Sequence, residues 1–271
     1  MRIGILLPWT EELESHIARV TAMGFHSGQI SVWDMSLYTK EWAAWLEALL
    51  KKYDFEVTAL WCGWSGPVDW SYPGMYSTLG LVPAWLRDQR TRDLLQGAAF
   101  ARQLGIRDVA THIGFIPDNP YSEDFIGIKN ALRLIATEMK RYGQQLIFET
   151  GEELPVTLIQ MMEAVGTGNL GVNFDPANLL SSGRANPVDA LTLLVPYLGG
   201  MHAKDAVAPQ GKNPKGHETA IGEGAVNFQR LVEILAGAGY NGDITIERET
   251  TMDETWEKEI QSARIYLSQF M

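Results

Sequence analysis

Short runs in which apolar and polar residues alternate recur along the chain, and the intervals between them carry apolar residues at helical spacing. The short runs predict strands at Arg2–Leu7, Gln29–Val32, Glu56–Trp61, Asp108–His112, Gln145–Glu149, Gly171–Asp175, Gly200–Lys204 and Asp243–Glu247. Helical patterns occupy Glu41–Tyr53, Arg87–Leu104, Phe125–Tyr142, Pro155–Val165, Phe228–Gly239 and Glu254–Phe270. Two further helix starts are marked by their chemistry. Thr10 precedes Glu11 and Glu12, a capping hydroxyl followed by acids that suit the positive end of a helix dipole. Asn186 precedes Pro187, a cap followed by proline at the first helical position. Strands alternating with helices in this way call for parallel βαβ units. Eight such units in 271 residues fit a closed (β/α)₈ TIM barrel that forms a single domain over residues 1–271. A doubly wound open sheet is the alternative, but no glycine fingerprint of a dinucleotide site follows the first strand.

Two connections are long: Trp61 to Arg87, which is rich in aromatic residues, and Lys204 to Ala225, which is rich in glycine. Both follow a strand, which places them on the face where barrel active sites form and makes them candidate lids. Composition narrows the setting. The formal net charge is −11, which opposes binding to phosphate backbones and to anionic membrane surfaces. No apolar run approaches a membrane span, and the N-terminal segment lacks the basic and apolar regions of a secretory signal. The single cysteine, Cys62, excludes an internal disulfide framework and a thiolate zinc site. These features together predict a cytoplasmic protein with no nucleic-acid or membrane partner, and they leave a homo-oligomer open.

Candidate chemistry lies at the ends of the last four strands. LIFETG ends on Glu149, GVNFDPAN on Asp175, GGMHAKD carries His202 and DITIERE carries Glu247. Strand alternation directs all four inward. Ile244 and Ile246 share the outer face, Thr245 and Glu247 the inner one; Leu146 and Phe148 face out, Ile147 and Glu149 face in. Charged residues inside a barrel demand pairing or a metal. Three carboxylates and one imidazole suit one divalent ion: Mn²⁺, Co²⁺ or Mg²⁺, with Zn²⁺ also compatible. Four protein ligands on a six-coordinate ion leave two positions for adjacent sugar oxygens.

The chain resembles the xylose isomerase-like barrel superfamily, especially its sugar isomerase and epimerase branch. The resemblance spans nearly the whole chain through THIGFIP (111–117), FETGEE (148–153), NFDPAN (173–178), HAKD (202–205), GEGAVNF (222–228) and GYNGDITIERE (239–249). It implies Glu149, Asp175, His202 and Glu247 as metal ligands, with Glu149 and Glu247 also serving as the catalytic acid/base pair. The implied function is metal-dependent isomerisation or epimerisation of a ketose or related small carbohydrate. One glutamate removes a proton beside a carbonyl and the other returns it to the opposite face, while the metal stabilises the enediolate.

One position departs from the pattern. Related epimerases often carry histidine three residues after the sixth-strand aspartate, where this chain has Asn178. Asparagine can bond a sugar hydroxyl but cannot act as a cationic electrophile. A lyase of the same superfamily, acting on a keto-inositol or a 3-keto-glycoside, is therefore the first alternative, and a non-catalytic sugar-binding barrel the second. A metal-independent two-carboxylate glycosidase would leave Asp175 and His202 without a role. Expected substrate contacts are His112, Asn178, Lys204, Trp61 and Trp64, with Trp33 a further candidate for the apolar wall. Lys204 shares a strand face with His202 and either meets an enolate or pairs with a carboxylate. Arg87 and Arg90 read as surface charge, and His217 and Glu218 as solvated loop residues. Cys62 has no activating partner.

Overall fold

The computed structural model describes residues 1–71, 73–151 and 153–271. Tyr72, in the long third loop, and Glu152, within FETGEE, lie outside the described residues. Eight strands pair in parallel and close on themselves, with no free edge. They are β1 (Arg2–Pro8), β2 (Ser27–Val32), β3 (Glu56–Cys62), β4 (Asp108–Thr111), β5 (Gln145–Glu149), β6 (Leu170–Phe174), β7 (Leu198–Ala203) and β10 (Asp243–Ile246). Around the barrel β10 sits between β7 and β1. The strand expectations therefore hold to within two residues, and the closed barrel replaces the open-sheet alternative.

Helices cover the outside: α1 (Leu13–Ala22), α2 (Lys40–Tyr53), α3 (Met75–Thr78), α4 (Ala84–Gln103), α5 (Glu123–Lys140), α6 (Pro155–Val165), α7 (Pro176–Ser181), α8 (Pro187–Leu194), α9 (Phe228–Gly237) and α10 (Glu254–Ser268). The Asn186 cap forms as its chemistry demands, with Oδ1 accepting from the Val188 and Asp189 amides. At the first helix Thr10 only tightens the turn, accepting from the Glu12 amide, and the helix begins at Leu13.

Strand alternation sorts side chains into two cores. Outward residues such as Ile244, Ile246, Leu146, Phe148, Val172 and Phe174 join the helices in one continuous apolar sheath. The interior holds a smaller cluster of Ala59, Trp61, Trp64, Met75, Leu79, Ala110 and Ile147. The rest of the inward side is polar. Where β2 meets β3 the register shifts: Gly28 lies opposite Val57 and Gln29 opposite Ala59, so Thr58 is the extra residue on β3. Gly28 lets β1 come close, because a Cβ there would lie 1.9 Å from the Ile5 carbonyl oxygen.

The two long loops acquire structure of their own. The loop after β3 contains α3 and is clamped by Arg90 on α4. Sequence reasoning made Arg90 a surface charge; instead it is fully buried. Its guanidinium donates to the carbonyls of Ser65 (3.0 Å), Pro67 (3.0 Å), Thr78 (2.6 Å) and Gly80 (2.7 Å). Burial draws its pKa down to about 10. Arg87 is likewise occupied, donating to the Leu81 and Val82 carbonyls and pairing with Asp124 at 3.0 Å. The loop after β7 folds into an antiparallel hairpin of β8 (Asp205–Val207) and β9 (His217–Thr219). Buried Asp205 organises it by accepting four backbone N–H bonds, from Ala206, Gly222, Gly224 and Val226. The glycines of the GEGA turn let the backbone approach: a Cβ on Gly224 would sit 2.1 Å from Asp205 Oδ1.

Candidate metal centre and substrate cavity

The carboxyl ends of β5, β6, β7 and β10 bring Glu149, Asp175, His202 and Glu247 together as expected. All four are buried, and one ligand atom from each lies within 4.8 Å of every other. Each is held by its own local chemistry. Asp175 follows β6 and caps α7, its Oδ1 accepting the Asn178 amide at 2.9 Å. The Thr150 hydroxyl lies 2.8 Å from both the Asp175 amide and the Asp175 carbonyl, which fixes the backbone there. That leaves Asp175 Oδ2 for the centre. Glu149 accepts from Trp61 Nε1 on one oxygen and from Asn178 Nδ2 at 3.1 Å on the other. Glu247 is placed by its amide, which bonds the Ala203 carbonyl at 3.0 Å.

His202 turns its Nδ1 to the carboxylates, 2.8 Å from Glu247, 3.5 Å from Glu149 and 3.8 Å from Asp175. Its Nε2 meets a pair of amides deep in the barrel. Gln29 Oε1 and Asn173 Nδ2 each lie 2.9 Å from it, and the two amides bond each other. An acceptor and a donor are thus both at hand. A ligand lone pair on Nδ1 requires the Nε2–H form, which donates to Gln29. Gly200 makes room for Asn173, since a Cβ there would approach its Oδ1 to 2.4 Å.

The donor set fits a divalent cation. Asp175 Oδ2, His202 Nδ1 and Glu247 Oε2 are buried and make no directed hydrogen bond. Three buried carboxylates beside one buried lysine also leave negative charge uncompensated. The proton-binding groups respond accordingly. Burial alone would push the Glu149 carboxyl up, but the charges of His112, His202 and Lys204 outweigh it and hold Glu149 well below the usual carboxylate range. Burial would push His202 down, yet Glu149 and Glu247 raise it well above the ordinary imidazole value. A proton on His202 stands in for positive charge that a metal would supply.

Beside this centre opens a cavity of about 520 Å³, whose lining includes His112, Glu149, Asn178 and Glu247 together with Trp33, Trp61, Trp70 and Trp256. Of the expected substrate contacts, His112, Asn178 and Trp61 line it. His112 lies 3.5 Å from Glu149 Oε1. Trp64 does not reach the wall: it is buried behind Trp33 and Trp61, with ring centroids at 5.3 and 6.2 Å, and lies against the Arg90 guanidinium. Lys204 also stands behind the wall. Its Nζ bonds Glu249 at 2.6 Å and lies 3.4 Å from Glu247 and 4.0 Å from Asp175. Burial would lower its pKa, but these carboxylates raise it well above the usual value. Glu218, expected to be solvated, pairs with Arg248 at 2.7 Å and accepts the Glu249 amide; burial raises its pKa.

Sequence reasoning missed Gln29, Asn173, Trp70, Lys215 and Glu249. Gln29 and Asn173 carried a usable signal, as polar residues at inward strand positions, with Asn173 two residues before Asp175. Trp70 and Lys215 sit in loops where no periodicity assigns a direction.

Residues 17–267 match the family described as xylose isomerase-like TIM barrel. The chain belongs to this family. Among solved structures it is similar to a xylose isomerase domain protein from Planctomyces limnophilus, with 30% identity, 99% of this chain and 96% of that one covered, and a TM-score of 0.91. It shares the fold of a D-psicose 3-epimerase from Clostridium cellulolyticum H10 at 17% identity, covering 100% and 99% of the two chains with a TM-score of 0.74. A curated relative, an uncharacterised protein of Methanocaldococcus jannaschii, is 28% identical over 180 residues, which cover 62% of this chain and 59% of that protein. No helix among the described residues is long and apolar enough to cross a membrane.

Proposed function

We propose that this protein is a divalent-metal-dependent isomerase or epimerase that moves a proton beside the carbonyl of a small carbohydrate. The observation that carries the proposal is the pairing of roles in one buried cluster. Glu149 and Glu247, from strands with β6 and β7 between them, reach both the metal position and the substrate cavity. The family and its epimerase-named neighbours support the same reading.

A cation held by Glu149, Asp175, His202 and Glu247, Mn²⁺, Co²⁺ or Mg²⁺ by the donor set with Zn²⁺ also accommodated, would supply Lewis acidity to a neighbouring carbonyl and make the adjacent C–H acidic. Asp175 and His202 serve only to hold it. Glu149 and Glu247 hold it and also exchange the proton, one carboxylate taking it from carbon and the other returning it. Its surroundings keep Glu149 ionised, the protonation state a base requires. Trp61 and Asn178 fix the direction of its two oxygens. Lys204 holds Glu247 in place and offsets its charge. His112 and Asn178 face the cavity, where they can bond substrate hydroxyls.

The test is exchange of a substrate α-proton with solvent deuterium, followed by NMR, in protein loaded with Mn²⁺, Co²⁺ or Mg²⁺ in turn. Exchange is expected to disappear in Glu149→Gln and in Glu247→Gln and to require metal. Undiminished exchange in both variants would overturn the two-carboxylate mechanism. Product analysis in the same samples separates an isomeric sugar from loss of water or of a leaving group.

A further inference from the structure

Charge is spread unevenly over the chain. The net charge is −11, yet residues 84–142, which contain α4 and α5, hold nine Lys and Arg against seven Asp and Glu. An acidic protein that meets its own copy does so with least repulsion through such a region. α4 and α5 also share a groove of about 730 Å³, whose lining includes Leu95, Ala99 and Leu134 together with Arg102, Arg133 and Arg141. Leu134 is 54% exposed, and Ile126, on the same i±4 ridge of α5, is 41% exposed. Tyr121 and Tyr142, just outside the two ends of α5, are exposed as well. A single exposed apolar residue is ordinary, but a ridge of them beside a groove marks a contact surface.

This face is polarised along its length. Steps of seven residues, about two helical turns, place Asp88, Leu95 and Arg102 on one side of α4. The same step relates Glu123 to Asn130, and Leu134 to Arg141, on α5. Each helix leads from one parallel strand back to the next, so the two run in the same direction. Exposed Asp88 and Glu123 therefore mark one end of the face, and exposed Arg102 and Arg141 the other. Arg92, the remaining exposed arginine of α4, bonds Gln89 at 2.8 Å. A two-fold axis along the helices would set these arginines against their own copies. An axis across the helices sets the arginine ends against the acid ends and brings the Leu95 and Leu134 midpoints together. Inverted in that way, the face is its own complement, the condition for an isologous contact.

We propose that α4 and α5 form the interface of a homodimer, with the helices of the two copies antiparallel and Asp88 and Glu123 of each copy facing Arg102 and Arg141 of the other. Sedimentation velocity of the full chain tests this. At roughly 50 μM, where a micromolar interface is filled, the sedimenting species is expected to have twice the chain mass of 30.2 kDa. Leu134→Asp should raise the dimer Kd at least tenfold, with the Tm of the monomer retained because the side chain is half exposed. Arg102→Glu and Arg141→Glu together should also weaken the dimer at least tenfold at low salt. Adding Asp88→Arg and Glu123→Arg to that chain should restore it. The charge variants leave the apolar contact in place, so they test the face even if Leu134→Asp unfolds. A parent chain that stays monomeric would overturn the proposal. So would a dimer unmoved by both Leu134→Asp and the double reversal, a double reversal that tightens the dimer, or a fourfold reversal that fails to recover it.

Discussion

His202 Nε2 lies 2.9 Å from Gln29 Oε1, across the barrel from the strand that carries the histidine. That contact settles which ring edge the carboxylates meet: Nδ1 faces Glu149, Asp175 and Glu247. If His202 ligates the proposed metal, Gln29 is a positioning residue that acts through the histidine. Gln29→Leu keeps the bulk and removes the acceptor, and it is expected to weaken Mn²⁺ or Co²⁺ binding by about ten- to a hundredfold, the range for lost partners of ligating histidines. Calorimetric titration of metal measures this, and ¹⁵N shifts of His202 report whether the Nε2–H form has been lost. Gln29→Glu retains an acceptor and should restore that form. Unchanged affinity and unchanged shifts in Gln29→Leu would remove the role.

Asp205 holds the seventh βα loop by four backbone N–H bonds. Asp205→Asn turns one acceptor oxygen into a donor that faces two of those groups. Two charge-assisted bonds at about 1.5–3 kcal/mol each would be lost. The expected outcome is a fall in Tm of about 6–24 °C, with faster hydrogen exchange concentrated at residues 222–226. Uniformly faster exchange across the barrel, with none concentrated there, would show that Asp205 does not act on this loop.

Arg90 ties Ser65, Pro67, Thr78 and Gly80 to α4 and so shapes the loop that presents Trp70 to the cavity. Arg90→Leu leaves four carbonyls short of a donor, a loss of at least about 4 kcal/mol at roughly 1–3 kcal/mol per unpaired group. Lysine should recover little of it, since one ammonium cannot span the fork. Thermal unfolding of both variants checks this, and a Tm within 2 °C of the parent, at roughly 0.5–1 kcal/mol, would contradict it.

Burial pushes the Cys62 thiol up to about 12, against a weaker opposite pull from the Tyr38 hydroxyl. The thiol therefore stays protonated through the physiological range. Native protein is expected to resist iodoacetamide at pH 8 and to take up one label after unfolding in guanidinium, as seen by intact mass. The sign of the stability effect follows. The folded pKa lies above the ordinary thiol value of 9.0, so this contribution is intact below pH 9 and is lost as pH rises towards about 12. Cys62→Ala should show a smaller alkaline drop in Tm over that window.

The barrel and its four candidate ligand residues were legible in the sequence because both depend on local repetition. Period-two alternation identifies strands and says which side chains face inward, so Glu149, Asp175, His202 and Glu247 could be placed on one axis before any distance was known. The family resemblance then supplied their roles. Asn186 and the strand boundaries followed in the same way, from capping chemistry and short-range pattern.

What the sequence alone determined, then, was the repeat, the inward faces and the four side chains that meet at the barrel mouth. Only the tertiary structure decided partnership. Arg90 looks like any helical surface charge until the preceding loop folds over it and offers four carbonyls. Trp64 and Trp70 lie six residues apart in one loop, yet Trp64 is buried behind the wall and Trp70 opens on the cavity. Lys204 points inward as alternation requires, and its ammonium meets Glu249 and Glu247. Gln29 meets His202 across 173 residues of chain. Such contacts depend on where distant segments arrive once the barrel closes, and no local periodicity encodes that.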